Sequence, residues 1–495
     1  MQDSNMLDAL VVGGGINGAG IARDLAGRGQ SVMLVERDDW ASHTSSASSK
    51  MIHGGLRYLE QYAFGLVRKS LQERERLLKA NPHLMQPLRL VLPHDPAQRP
   101  RWMIRLGLFF YDHLAPLGLL PASGSEQLAG QPYGEPLQAR FTHGFAYSDG
   151  WVDDARLVWH CVLDARQRGA RAQSRCALVK AERIDGATPH WRATLQPEGA
   201  APFEVQARAL VNAAGPWAAE LLGQACGEAR PPALRWVQGT HIVIPRRWNH
   251  GAGYLLQNPD GRVLFALPYQ DDFTLLGTTD QEITQLGRRA QAQDGEVDYL
   301  CEQASRWLRE PVTRADIRWQ FAGIRPLLAD EADDPKAITR DYRLDLLAAP
   351  GQAARLDVWG GKITTFRLLA EQAADLISPL LGGGKAWTLN ASLPGGDCGP
   401  LPAFIEQLRR EFPHRDPQLI RRWALAHGSR ARALLQKEPG TEVVPGISSA
   451  ELQDAVEHED VKSADDFLWR RSKLGLRLST EQRDAVERAV QALMR

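Results

Sequence analysis

Cysteine is scarce in this chain and neither sign of charge dominates, and each absence removes a class of protein. Five cysteines occur in 495 residues (Cys161, Cys176, Cys226, Cys301, Cys398), with no Cys-x-x-Cys pair. An odd, scattered set excludes a disulfide framework and a thiolate zinc site, and fits free thiols in a reducing compartment. Lys plus Arg and Asp plus Glu number 59 each, so the formal net charge is zero. That balance argues against bulk nucleic-acid binding. No apolar run approaches the ~20 residues a membrane-spanning helix needs. The first apolar strand begins within ten residues, which leaves no room for a signal peptide. The histidines show no metal-ligand spacing, so no metal is expected. The chain reads as cytoplasmic, with length for two or three domains.

What is present starts at the N-terminus. The run DALVVGGGINGAGIARDLAGRGQSVMLVE (8–36) is apolar strand, glycine turn, helix with small residues, second apolar strand and acid. Gly13, Gly15 and Gly18 form G-x-G-x-x-G. The first glycine allows the tight turn, the second lets a pyrophosphate approach the backbone, and the third lets helix and strand pack closely. The helix N-terminus offers N–H groups and partial positive charge to phosphates. Glu36 stands where an acid hydrogen-bonds the adenosine ribose.

Beyond Glu36, SHTSSASSKMIHGGLRYLE is too rich in Ser and Gly for a regular element. A helix is predicted at 66–80, with Val67, Leu71 and Leu78 on one stripe, and another at 157–169. Strands are predicted near 177–184, 191–195 and 203–205. ARALVNAAGPWAAELL repeats the strand–turn–helix logic at Ala213, Ala214 and Gly215, and DVWGGKITTFRLLAEQAADLI does so at Gly361. Residues 234–280 alternate apolar and polar as an antiparallel sheet does, and the Arg-, Ala- and Leu-rich tail reads as helical.

Three such turns far apart in sequence suit one extended cofactor. NAD sits mainly on one unit, whereas FAD also needs its ring held by a distant segment. Ser45, Ser46, Ser48 and Ser49 carry hydroxyls, and Gly54-Gly55 permits close approach to a flat ring. The helix start at Ile363–Thr365 would face the pyrimidine end of the ring, which becomes anionic on reduction.

The strings GGGINGAGIARDLAGRG, TSSASSKMIHGGLRYLE, WVDDARL, NAAGPWA, QGTHIVIP, LLGTTD, AGIRPL and WGGKITTFR resemble the FAD-dependent sn-glycerol-3-phosphate dehydrogenases, within the D-amino-acid-oxidase-like flavoproteins. The resemblance runs from about Leu7 to Leu381; Ala213-Ala214-Gly215 stands where many relatives have Ala-Thr-Gly, and 122–140 is variable. It implies an α/β fold: a Rossmann-like FAD-binding domain (about 1–65, 145–220, 320–385), an interleaved antiparallel-sheet substrate domain (about 66–144, 221–319) and an all-α C-terminal domain (386–495). It implies oxidation of sn-glycerol 3-phosphate to dihydroxyacetone phosphate, with electrons passed from FAD to a ubiquinone-type acceptor, in a homodimer peripheral to the inner face of the cytoplasmic membrane. A glycerol-3-phosphate oxidase using oxygen and a D-amino acid or glycine oxidase are the alternatives.

Hydride removal from a secondary alcohol needs a base for the hydroxyl proton and cations for the phosphate. Arg57 and Arg325 are assigned to the phosphate and Lys362 to the substrate oxygen or reduced flavin. His241 is the candidate base, and Tyr58 is read as orienting the substrate. Cofactor contacts are assigned to Gly13, Gly15, Ile16, Asn17, Gly18, Glu36 and Arg37, and to Thr44, Ser45, Ser46, Ser48, Ser49, Lys50, His53, Gly54 and Gly55. Further contacts are Ala177, Leu178, Ala213, Ala214, Gly215, Trp217, Gly361, Lys362, Ile363 and Thr364.

One segment is left over. RPRWMIRLGLFFYDHLAP (99–116) places Arg101, Arg105 and Asp112 together on a helical wheel, with aromatic and aliphatic residues over most of the rest. It is too short to span a bilayer and suits an interfacial helix; a buried core helix is the alternative.

Overall fold

The computed structural model describes residues 6–328 and 341–495. Its first sheet runs in the order Arg343–Leu347, Ala354–Trp359, Phe203–Asn212, Met6–Val12, Val32–Val35, Arg171–Gln173, with Cys176–Ile184 and His190–Pro197 attached beside Phe203–Asn212. All neighbours along that path are parallel except the first pair. Strands covered on both faces must be apolar throughout, and Val32–Val35 is buried at every residue. The helix Ile16–Gly27 packs on the helices Asp154–Gln167 and Phe366–Leu381. Small residues permit the approach: a Cβ on Gly20 would stand 3.2 Å from the Phe366 ring.

Parallel pairing brings three strand ends together. Val12 lies opposite Asn212, and Asn212 opposite Asp357. The turns after them carry Gly13, Ala213–Gly215 and Gly360-Gly361, so all three glycine turns open at the carboxyl edge of one sheet, where such sheets bind ligands.

The second sheet runs Gln281–Ile283, Leu234–Pro245, Phe273–Gly277, Val263–Tyr269, Gly253–Gln257, Met85–Pro93, His143–Val152, Met51–Ile52, with Trp319–Leu328 on Leu234–Pro245 and Gly124–Gln127 on His143–Val152. It is antiparallel except between Gly253–Gln257 and Met85–Pro93. Met85–Pro93 is not evident in the sequence, because Pro87 and Pro93 interrupt its alternation. His143–Val152 and Trp319–Leu328, grouped by the sequence with the cofactor domain, pair in this second sheet. The helix Asp294–Trp307 covers one face through Val297, Leu300, Ala304 and Trp307.

The tail holds the helices Leu401–Glu411, Pro417–His427, Ala431–Gln436, Ser449–His458 and Thr480–Leu493. The expectation of helices alone is corrected by a hairpin, Glu442–Val444 with Ile447–Ser448. Gly446 at φ 80 turns it, and Val444 and Ile447 are buried in the tail's own core.

Candidate active site

The site is built from segments that meet at the carboxyl edge of the first sheet. Gly13 takes φ 115, and a Cβ on Gly18 would overlap the Gly13 carbonyl. Both positions therefore require glycine. The helix that follows has no side-chain cap at Gly15 and no acid in its first turn, leaving an N-terminus suited to an anion. The Ser45 Oγ accepts the Ile16 N–H at 2.9 Å, so the serine-rich loop lies across that terminus. Glu36 accepts from Gly14 N at 2.6 Å and from Asp38 N at 2.9 Å, and its burial raises its pKa. Cys176 N donates to the Glu36 carbonyl at 2.7 Å, which brings Ala177 and Leu178 beside the acid. Arg37 lies over the Trp217 ring at 4.4 Å, and His43 packs on the other side of this corner with its ring 4.6 Å from Trp217.

The third turn closes on the first. Asn17 Nδ2 donates to the Gly360 carbonyl at 3.0 Å, and Gly361, at φ 107, would press a Cβ to 2.9 Å from that amide. His53 N donates to Thr364 Oγ1 at 3.1 Å, joining the His-Gly-Gly segment to the Gly-Gly-Lys turn. Ala213 N donates to the Val12 carbonyl at 2.9 Å. Thr44 Oγ1 donates to the Ile324 carbonyl at 2.7 Å and ties the serine loop to the second sheet.

His241 stands on Leu234–Pro245, 2% exposed, with its Nε2 2.9 Å from Ser49 Oγ and its ring stacked on Phe321 at 4.9 Å. Its cross-strand partner is Gly277, where a Cβ would fall on the imidazole itself. Burial, with Lys50 and Arg325 adding to it, holds the His241 pKa well below the ordinary histidine value. The Ser49 hydroxyl, both donor and acceptor, can serve Nε2 in either neutral tautomer, and with the ring proton on Nε2 the basic nitrogen is Nδ1. That Nδ1 is buried without a hydrogen-bond partner among the described residues.

Arg325 lies on Trp319–Leu328, the strand paired directly with that of His241, where it stands opposite Val237. Its guanidinium donates to Asp280 at 2.5 Å and to the Thr279 carbonyl at 3.0 Å. Lys362 Nζ lies 4.0 Å from the centre of the Tyr58 ring and has no hydrogen-bond partner among the described residues. The position of Lys50 differs from its sequence assignment. Arg57 is exposed and donates to the Gly261 carbonyl at 3.0 Å; Glu60, its neighbour in sequence, pairs instead with Arg99. Lys50, assigned to the cofactor, is turned inward: 1% exposed, its ammonium is 2.7 Å from Asp154 and bonds the Ser46 carbonyl. A buried ammonium needs such a pairing, and Lys50 makes it from a left-handed backbone, φ 58. Ser48 is held by the same carboxylate at 2.7 Å.

Sequence reasoning missed Asp154, Phe321 and Asp280. Asp154 and Phe321 are ordinary residues of a helix start and a strand, and only the tertiary fold sets them beside the serine loop and His241.

The FAD dependent oxidoreductase family profile matches residues 8–349. The chain belongs to this family. A glycerol-3-phosphate dehydrogenase of Pseudomonas aeruginosa is 46% identical over 486 residues, covering 97% of this chain and 94% of that protein. A D-erythritol 1-phosphate dehydrogenase of Brucella abortus is 41% identical over 499 residues, covering 98% of each. The solved glycerol-3-phosphate dehydrogenase of Bacillus halodurans, complexed with FAD, shares the fold at TM-score 0.74 and 24% identity, covering 100% of this chain and 95% of its own. The residues present fit the cofactor: glycines crowd the first turn, the helix N-terminus has no acid in its first turn and takes only the Ser45 hydroxyl on its Ile16 N–H, and the Asn17 Oδ1 beside Gly361 is buried without a partner among the described residues.

Proposed function

We propose that the protein oxidises sn-glycerol 3-phosphate at its secondary alcohol to dihydroxyacetone phosphate and passes the electrons to a membrane quinone. The observation that carries this reading is the buried, neutral His241, with Nδ1 unpaired among the described residues, one strand from the exposed guanidinium of Arg325. Bound FAD supplies the two-electron acceptor for the carbinol hydrogen. His241 Nδ1 takes the hydroxyl proton, in the tautomer whose Nε2–H donates to Ser49. Arg325 and Arg57 hold the phosphate dianion, Arg325 exchanging Asp280 for it; Lys362 and Tyr58 orient the substrate oxygen. The incoming dianion offsets the positive field of Arg325 and makes the imidazole a stronger base when substrate is present.

The same reading places the protein on a membrane surface. In the helix Arg101–His113, Leu108 and Tyr111 are buried, whereas Trp102, Met103, Leu106, Phe109 and Phe110 are exposed. Tyr62, Phe64 and Leu119 are exposed as well, and Phe64 meets Phe110 edge-on at 6.4 Å. A clustered apolar surface with Arg99 and Arg101 at its border suits an interfacial helix rather than a core one. No helix among the described residues is long and apolar enough to cross a membrane.

Anaerobic mixing with glycerol 3-phosphate tests the reaction: the visible absorbance of the oxidised flavin should bleach, and an unchanged spectrum refutes it. The Brucella relative supports a second reading, a four-carbon polyol phosphate; erythritol 1-phosphate reducing the flavin at lower concentration than glycerol 3-phosphate would select it.

A further inference from the structure

The C-terminal segment is joined to the rest of the chain by buried ion pairs, and their partners are the loops that border the cofactor site. Lys473, 2% exposed, donates to Asp153 at 2.7 Å. Asp153 caps the helix Asp154–Gln167, and its neighbour Asp154 collects the serine-rich loop: Ser48 Oγ and Lys50 Nζ each lie 2.7 Å from one carboxylate oxygen. Lys50 in turn donates to the Ser46 carbonyl. A second joint acts on the loop after Glu36: Arg471 Nη2 lies 2.8 Å from Asp39, and Trp40 donates to Asp460 at 2.7 Å. The family profile ends at residue 349, before the tail, while the FAD-complexed Bacillus halodurans structure aligns over the whole of this chain.

From this geometry we propose that the tail is a clamp for the cofactor loops, with Lys473 as its positioning residue. Without Lys473, the Asp153 carboxylate is left to compete with the adjacent Asp154 for Lys50, which loosens the anchor of the loop that lays Ser45 across the cofactor helix. Charges removed from water hold geometry only while each has its partner. Lys473 touches neither cofactor nor substrate; it acts through Asp153, Asp154 and Lys50.

The test measures FAD affinity on the full chain without substrate, so its outcome does not depend on which alcohol is oxidised. Apoprotein of the parent, Lys473→Met, Lys473→Arg, Asp153→Asn and Glu459→Gln is titrated with FAD and followed by flavin fluorescence, and each apoprotein is melted. Asp153→Asn keeps the cap, since Asn caps as well as Asp, and removes only the charge that Lys473 meets, so it reports even where Lys473→Met does not fold. The expected result is a rise in Kd of about tenfold or more in Lys473→Met and Asp153→Asn, the size of a lost charge-assisted hydrogen bond. Lys473→Arg should remain near the parent in both Kd and Tm, whereas Lys473→Met and Asp153→Asn should also lower the apoprotein Tm, because each leaves a buried charge unpaired. A Kd within twofold of the parent in Asp153→Asn overturns the proposal. So does a Kd no higher than that of Glu459→Gln, which breaks another buried pair between tail and body (Arg156 Nη1–Glu459, 2.6 Å) and lowers Tm in the same way, since that would make Lys473 a general stability contact.

Discussion

Ser49 Oγ and His241 Nε2 lie 2.9 Å apart, and the bond joins the serine-rich loop of the cofactor site to the strand that carries the proposed base. With the ring proton on Nε2, the bond leaves Nδ1 as the base. Replacing His241 by Ala should slow anaerobic flavin reduction by about 10²- to 10⁴-fold, the range of a positioned base. Flavin content should remain at the parent level. Stopped-flow absorbance measures both, and a rate within threefold of the parent would remove His241 from the mechanism.

Arg325→Lys keeps a cation but loses the fork that grips a phosphate. Losing charge-assisted hydrogen bonds worth about 1.5–3 kcal/mol should raise KM for the phosphorylated alcohol roughly 10- to 100-fold. Steady-state kinetics with a saturating acceptor would show it, with kcat changed far less. Equal KM values in variant and parent would place the phosphate elsewhere.

Acid should destabilise the fold through its histidines before its carboxylates. Burial lowers the pKa of His160, His241 and His427 well below the ordinary value and pushes His83 down to about 3. The unfolded chain takes up protons below about pH 6.5 that these native rings refuse. Stability is therefore full above that pH and is lost as pH falls, by up to ~1.4 kcal/mol per unit for each such ring. Melting curves between pH 7.5 and 5 should show a falling Tm, less steep in His83→Asn. A flat Tm over that interval would contradict the burial of these rings.

Phe109→Glu with Phe110→Glu should reduce sedimentation with anionic liposomes while leaving the flavin spectrum intact. Both side chains are exposed on the helix Arg101–His113, so the change costs no core packing. Undiminished sedimentation would free this surface from the membrane reading.

Gly361→Ala should cost FAD. Its φ of 107 disfavours any side chain, and the added carbon would crowd Asn17. Expected is purified protein with less bound flavin than the parent, read from the ratio of visible to ultraviolet absorbance. A parental ratio would show that the turn tolerates the strain.

The chain's pattern made the glycine turns, the helix starts after them and the antiparallel region legible, because each is set by local rules: positive φ, alternation, small residues on a packed face. What the pattern hides is long-range. Lys50 reads as a loop cation at the cofactor, but Asp154 lies 104 positions away and decides its direction. Arg57 and Arg325 look alike in sequence as arginines beside glycine-flanked motifs. Only folding shows one resting on the Gly261 carbonyl and the other opposite Asp280. The strand Met85–Pro93 escaped for a related reason: its prolines break the pattern, yet Pro87 opposes Gly150 within a continuous ladder.

Gly277 has a quieter consequence. Because the imidazole of His241 occupies the volume a methyl group would need there, the seat of the proposed base is defined by an atom that is missing. Selection for new substrates thus has freedom among the arginines at the rim. At residue 277 even the smallest enlargement would evict the ring, so that position is closed to drift for as long as proton removal there is required.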